Sequence, residues 1–182
     1  MTVDGVPAPI LAVANQKGVE QVNFQVPWEM AGRTQAQVIV TRDGVPSAAV
    51  SVVVLANQPG VFTWDGVAGV AVHNVNYTPV TQFAPLEAGE FAFVYAEGIG
   101  PVSNQPVTGT GSPGGPLASA QSGVQIRIAG MPCEVPFAGL APGFVGLYQL
   151  NFRVPPGLPS GLQSLVVTAA GLDASVVLVW VR

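Results

Sequence analysis

Apolar and polar residues alternate along short stretches of this chain, and a spacing of three to four between apolar residues, as in a helix, is almost absent. Residues 21–26 place Val22, Phe24 and Val26 on one face with polar residues between them, which is the pattern of a half-buried strand. Further strands are predicted at residues 35–41, 48–55, 90–96, 124–128, 148–154, 162–169 and 174–181. Short strands without helices between them predict an all-β fold of antiparallel β-sandwiches.

Glycine and proline separate these strands. Asp43-Gly44 lies between two of them and predicts a hairpin. Residues 61–75 are expected to hold additional strands, and residues 27–32, PWEMAG, predict a single helical turn. Residues 108–116, TGTGSPGGP, have the composition of a mobile surface loop between strands.

An internal repeat is the most informative feature of the chain. The motif QVNFQVP at residues 21–27 recurs as QLNFRVP at residues 149–155, and the similarity extends over residues 3–55 and 128–181. The second copy is preceded by residues 57–127, which include further predicted strands, whereas the first copy has no such preceding segment. We therefore predict tandem antiparallel β-sandwiches: a partial domain at residues 1–56, incomplete at its N-terminus, and a full domain at residues 57–182.

A half sandwich would expose an apolar face and unpaired strand edges. Three arrangements would cover them. The missing strands could belong to a longer parent protein, the half domain could pack on the neighbouring domain, or a strand from another molecule could complete it by β-augmentation.

The segment AGLAPGFVGLYQLNFRVP at residues 138–155 is distinctive, and VNFQVPW at 22–28, PGVFT at 59–63 and residues 89–102 accompany it in order. In these segments the chain resembles the uncharacterised Solibacter-type C-terminal domain family of secreted acidobacterial proteins. The resemblance implies immunoglobulin-like modules at the ends of large extracellular proteins, and it implies no activity. It departs at residues 133–134, Cys-Glu, where the family has small apolar residues.

The resemblance predicts an extracellular or cell-surface location. The first residues, MTVDG, contain neither the basic nor the apolar region of a signal peptide, so we expect no signal peptide within these 182 residues.

Charge is unusually scarce. Six basic and ten acidic residues make up 9% of the chain, against about 25% in an average soluble domain. The net charge of −4 and the single lysine, Lys17, argue against nucleic acid as a partner, and no apolar run is long enough for membrane insertion. A surface with so little charge favours association through β-edges, with copies of the chain or with other protein domains.

Few residues of this chain could take part in catalysis or bind a metal ion. His73 is the single histidine and Cys133 the single cysteine; both are expected to be structural, and the neighbouring Glu134 is expected to raise the pKa of the thiol. Glu87 and Glu90 flank a loop glycine, where solvated charges are the simplest interpretation. We therefore predict no catalytic, cofactor-binding or metal-binding residues, no cofactor and no enzymatic activity, while a single calcium ion at the domain junction stays open.

Two further patterns in the sequence resemble ligand-binding sites. Gly109, Gly111 and Gly114 match the spacing of a dinucleotide-binding fingerprint, but Pro113 interrupts it and no helix is predicted to follow. Three tryptophans, Trp28, Trp64 and Trp180, could form a platform for sugar rings, although core or edge packing is the usual place for tryptophan in a sandwich.

These observations favour a non-enzymatic extracellular structural or interaction module that packs with its own copies or with a parent cell-surface protein, in an assembly or fibre role. The alternative is a cell-surface adhesin or carbohydrate-binding module, with glycans as its partners.

Overall fold

The computed structural model describes all 182 residues, and it is all-β with several antiparallel sheets. The prediction of an all-β chain is therefore confirmed. The chain forms two compact units: the first unit is Met1–Ala56 with Pro106–Gly111, and the second unit is Asn57–Gln105 with Ser112–Arg182. The helical turn predicted at residues 27–32 is a shorter 3₁₀ turn, Trp28–Met30.

Eight strands form the first unit. They are β1 Thr2–Val3, β2 Val6–Pro7, β3 Ile10–Gln16, β4 Val19–Phe24, β5 Gln35–Ile39, β6 Thr41–Arg42, β7 Val45–Pro46 and β8 Val50–Val53. A four-stranded sheet has the order β2-β1-β5-β8, while β3 and β4 form one two-stranded ribbon and β6 and β7 another.

Ten strands form the second unit. They are β9 Gly60–Val61, β10 Ala71–His73, β11 Phe91–Glu97, β12 Val124–Ile128, β13 Met131–Pro132, β14 Glu134–Leu140, β15 Tyr148–Arg153, β16 Gly161–Ala169, β17 Leu172–Asp173 and β18 Val177–Val181. One sheet has the order β10-β11-β15-β14 with β9 also on β11, and the other has the order β13-β12-β16-β17 with β18 also on β16.

The strand pairings of the repeat are the same in both units. The ladder β2-β1-β5-β8 corresponds to β13-β12-β16-β18, and the ribbon β3-β4 corresponds to β14-β15. Registers agree as well: Val3 pairs with Val38 as Ile128 pairs with Leu165, and both ribbons shift register near the start of their first strand. Residues at the same place in these ladders are called equivalent below.

Two of the three hairpins of the first unit close through the same turns as their equivalents, whereas β3-β4 closes through a two-residue turn and residues 141–147 join its equivalent β14-β15. A non-glycine residue with positive φ, followed by a glycine with positive φ, occurs at Asp4-Gly5, Lys17-Gly18, Asp43-Gly44, Ala129-Gly130 and Ala170-Gly171. Two successive residues with positive φ define the type I′ turn, whose twist matches that of the flanking strands. The hairpin predicted around Asp43-Gly44 is confirmed, since β6 pairs with β7 across it.

The sequence pattern did not predict two long strands, β3 and β14, which are the first strands of the two equivalent ribbons. β3, ILAVANQ, lacks strict alternation, and β14, EVPFAGL, contains proline and glycine, which are usual signs of a strand break. The register shift between Glu134 and Phe137 accommodates the proline. Gly139 has no room for a side chain, because a Cβ there would lie 2.3 Å from the carbonyl oxygen of Ala118.

The second unit holds most of the buried apolar residues. Inward positions alternate along β15, where Leu150 and Phe152 are fully buried, and along β18, where Val177 and Val179 are buried. Tyr148 begins β15 and donates its hydroxyl hydrogen bond to the carbonyl of Gly100. Burial raises the pKa of this phenol to about 12.

The core of the first unit is small by comparison. It consists of the buried residues Val3, Ala8, Met30 and Ala36, with a few half-buried neighbours. All seven residues of β3 and all four residues of β8 are exposed. Strands with the same pairings therefore bury very different amounts of apolar surface in the two units.

Equivalent valines provide a direct measure of this difference. Val177 is 3% exposed and its equivalent, Val50, is 59% exposed. We expect Val177→Ala to lower the free energy of unfolding by about 1–3 kcal/mol, because it leaves a cavity, and Val50→Ala to change it by less than about 0.5 kcal/mol. Urea denaturation of dilute protein measures both, and equal losses would contradict the difference in burial.

Candidate interaction surface

The outer side of β4 is unpaired. β4 bonds only to β3, whereas its equivalent β15 bonds to β14 on one side and to β11 on the other, over six residue pairs from Phe91 with Arg153 to Ala96 with Tyr148. The first unit contains no strand in the place of β11. We call the side of β4 that faces away from β3 the β4 free edge.

Hydrogen-bond directions identify the groups on this edge. The amide of Gln25 donates to the carbonyl of Pro9, beside β3. Because successive amides of a strand point to opposite sides, the amides of Val22 and Phe24 point to the β4 free edge. The second unit follows the same alternation, since the amide of Val154 donates to the carbonyl of Glu90, just before β11.

The outer side of β8 is unpaired in the same way. In the second unit, the equivalent strand β18 is bonded on that side: Leu178 exchanges hydrogen bonds with Val67 and Gly69, and Leu86 bonds to both Trp180 and Arg182. No residue of the first unit replaces these partners. We call this side of β8 the β8 free edge.

Apolar side chains accompany both free edges. Val50, Val52 and Val54 are equivalent to Val177, Val179 and Val181, which are all buried; Val50 and Val52 are exposed, and Val54 is half-buried. Along β4 and beyond it, Val22 and Phe24 are half-buried and Val26 is exposed. Their equivalents Leu150, Phe152 and Val154 are fully buried. The residues that line the free edges are therefore of the kind that forms a core.

Residues 106–111 contact the end of β4. The Thr108 hydroxyl accepts a hydrogen bond of 3.1 Å from the amide of Trp28 and donates one of 2.8 Å to Glu29, and the amide of Gly109 donates to the side chain of Gln25. A backbone hydrogen bond and the Thr108 hydroxyl lower the pKa of Glu29. Part of the loop predicted as mobile at residues 108–116 is thus held by specific contacts, and no helix follows its glycines.

His73 has both ring nitrogens engaged. Nδ1 lies 3.2 Å from a carboxylate oxygen of Glu90, and Nε2 lies 3.1 Å from the carbonyl of Ala84. Both partners are acceptors, so the protonated ring donates both bonds and the neutral ring donates one. The ring therefore joins β10 to the loop before β11, and neither nitrogen faces a nucleophile.

Cys133 is partly buried and follows β13. Burial raises the pKa of its thiol to about 11, against the lowering effect of a backbone hydrogen bond. The sequence predicted a raised thiol pKa, but it predicted the wrong cause. Desolvation raises the pKa, and the neighbouring carboxylate of Glu134 does not. A thiol of this kind is a poor nucleophile, because the thiolate is the reactive form.

The carboxylates do not converge. Glu87 pairs with Arg182 and Glu90 pairs with His73, so their neighbourhood in sequence does not produce two carboxylates facing a common cleft. No group of three or more histidine, cysteine, aspartate or glutamate side chains is placed to hold a metal ion. No helix of the chain is long and apolar enough to cross a membrane.

A shallow cleft of about 480 Å³ lies beside Gly89, Glu134 and Arg153. The guanidinium of Arg153 is already occupied: its Nε donates to the carbonyl of Gly89 at 3.1 Å, and its carbon lies 5.6 Å from the centre of the Phe91 ring. The two charged side chains of the cleft, Arg153 and Glu134, lie 3.8 Å apart and pair with each other.

The three tryptophans differ in their exposure. Trp64 is 61% exposed, while Trp28 and Trp180 are half-buried. The close aromatic pairs are Tyr77 with Phe93 and Phe93 with Tyr95, and no tryptophan takes part in them.

No known protein-family model matches this chain, and no curated protein matches its sequence.

The environment of Cys133 predicts slow alkylation of the native protein. At pH 8 a thiol whose pKa is about 11 has about a hundredfold less thiolate than one with the ordinary value of 9.0. We expect iodoacetamide to react at least about fiftyfold faster after unfolding in urea at the same pH, as measured by mass spectrometry. Equal rates in the native and unfolded protein would contradict the burial of the thiol.

Proposed function

We propose that this protein is a non-enzymatic extracellular structural module that packs with its own copies or with a parent cell-surface protein. The observation that carries the proposal is the pair of free edges on the first unit, both of which are covered in the second unit by residues from outside the repeat. Unpaired edges flanked by apolar side chains are templates for association with another chain.

We further infer that each unit is built on an immunoglobulin-like β-sandwich, incomplete in the first unit. Support comes from the second unit, where strands of both sheets bury alternate residues, as β15 and β18 do. Such alternation is typical of two sheets that face each other across a common core. The resemblance to the Solibacter-type C-terminal domain family supports the same architecture and an extracellular or cell-surface location.

The distribution of charge also supports packing between chains. β8 contains no charged residue, and the charges close to β4 include Glu20 within it, Arg42, which pairs with Glu20, and Lys17 at the preceding turn. Lysines along an edge strand are a usual protection against association, and neither free edge has this protection along its length.

A second candidate is a carbohydrate-binding or adhesin role, supported by the exposed ring of Trp64. A glycan array with the native protein and with Trp64→Ala separates the two candidates. Binding that is lost in Trp64→Ala and retained in Phe144→Ala, a change at another exposed aromatic residue, would favour the carbohydrate role, and an array without signal would remove it.

The main proposal predicts self-association that depends on concentration. We expect light scattering after size exclusion to give a mass above 18.6 kDa that rises across a hundredfold range of protein concentration. Association should weaken in Val53→Lys, because Val53 lies on β8 and is 71% exposed, and a charge there opposes edge pairing.

The matched control is Val75→Lys. Val75 is 87% exposed and belongs to a turn of the second unit and to no strand, so the substitution adds the same charge outside both free edges. A mass that stays at 18.6 kDa throughout, or an equal effect of both substitutions, would contradict packing of copies through the β8 free edge.

A further inference from the structure

We propose that the β4 free edge is an acceptor for one antiparallel strand of a partner polypeptide whose chemistry is that of β11. Such a strand is extended, uncharged through its middle and apolar on both faces. The inference rests on the proposed function, because it specifies what one of the two free edges binds. The other free edge, along β8, is left to the association between copies described above.

The second unit supplies the template for this partner. β11 has the sequence FAFVYAE, and its central residues, Ala92 to Ala96, are buried except for the half-buried Tyr95. It runs antiparallel to β15 with Ala92 opposite Phe152 and Val94 opposite Leu150. The same register on β4 would pair a partner strand with the residues from Glu20 to Gln25.

The backbone of β4 has donors for such a strand. The amides of Val22 and Phe24 point to the free edge, as do those of their equivalents Leu150 and Phe152, which lie in the ladder with β11. An added strand would satisfy these amides and place its own side chains beside those of Val22 and Phe24, which are half-buried at present. Main-chain hydrogen bonds would give affinity, and the side chains would give specificity.

Side chains on β4 define which strand fits. Opposite Phe24 the template has the small residue Ala92, so a small residue is required there. Opposite Val22 the template has Val94, and because Val22 is smaller than Leu150, a residue somewhat larger than valine fits as well. Glu20 occupies the place of Tyr148, so a basic residue in the position of Ala96 would face a carboxylate and gain a cross-strand ion pair.

β11 itself is not available as the partner. It is bonded to β15 on one side, and to β10 and β9 on the other. The same holds for β11 of a second copy, which would have to leave its own sheet. The acceptor edge therefore calls for a strand from another segment, with the chemistry of β11 but free to bind.

The test uses the full chain and a synthetic peptide with the sequence of residues 89–98, GEFAFVYAEG. Hydrogen exchange is followed at single amides by NMR, with and without the peptide. We expect exchange at Val22 and Phe24 to slow at least about tenfold, while Leu150 and Phe152, already in a ladder, are unchanged. A peptide of the same composition in scrambled order should have no effect.

Two peptide variants test the register. Replacement equivalent to Ala96→Lys places a cation opposite Glu20 and should tighten binding about two- to fivefold. The same replacement at Ala92 places it opposite Phe24 and should weaken binding at least about tenfold. Equal effects of the two replacements would overturn the register.

A matched pair of protein variants tests the edge. Val22→Pro removes an amide that points to the free edge and leaves the hydrogen bonds to β3 in place, so it should weaken peptide binding at least about tenfold. Val22→Thr keeps the amide and a β-branched side chain, and should stay within about threefold of the native protein. If Val22→Pro does not fold, the hydrogen-exchange experiment on the native chain still tests whether the peptide binds at the β4 free edge.

The outcomes separate this inference from the proposed function. Absence of peptide protection at Val22 and Phe24 overturns the inference, whatever the light-scattering mass is. Protection that appears without peptide and grows with protein concentration also overturns it, since a second copy of the chain is then the occupant. Protection by the peptide in a chain that remains monomeric at every concentration supports the inference and contradicts the packing of copies.

Discussion

The pairing of strand edges is the constraint on which the rest of this structure depends. Every strand leaves backbone donors and acceptors on each side, and they must bond to another strand, to a loop or to water. In the second unit β15 is closed by β11, β18 by residues 67–69 and Leu86, and β14 by residues 118–120. All of these closing segments lie between the two copies of the repeat.

The first unit shows what the repeat does without these segments. Its ladders have the same order and register as those of the second unit, and two of its three hairpins close through the same turns. Local structure is therefore specified within the repeat itself. Its charged contacts, such as Arg33 with Asp4 at 2.6 Å and Arg42 with Glu20 at 3.7 Å, support turns and strand ends, and they leave the middle of β8 without protection.

Much of the fold could be predicted from the sequence. The features that could not be predicted are those that depend on tertiary structure. The strand at Val124–Ile128 has the predicted bounds because its alternation is strict, whereas β14 was missed because Pro136 and Gly139 are tolerated only through a register shift and a close backbone approach. A structural role was expected for His73, but its two hydrogen-bond acceptors, Glu90 and Ala84, could not be predicted, because only the fold brings these residues to the ring. The directions in which the Val22 and Phe24 amides point could be assigned only after the register of β3 with β4 was known.

Apolar residues beside the two free edges occupy equivalent positions in both units, although the second unit buries them and the first does not. Val50 and Val52 stand where Val177 and Val179 form the core, and their exposure differs while their chemistry is the same. Burial of a valine side chain contributes about 1.5–3 kcal/mol, and an exposed valine contributes almost none of this to the folding of its own chain. The sequence of the first unit is therefore suited to a state in which its edges are covered, and in that state these valines would stabilise the contact with the partner that covers them.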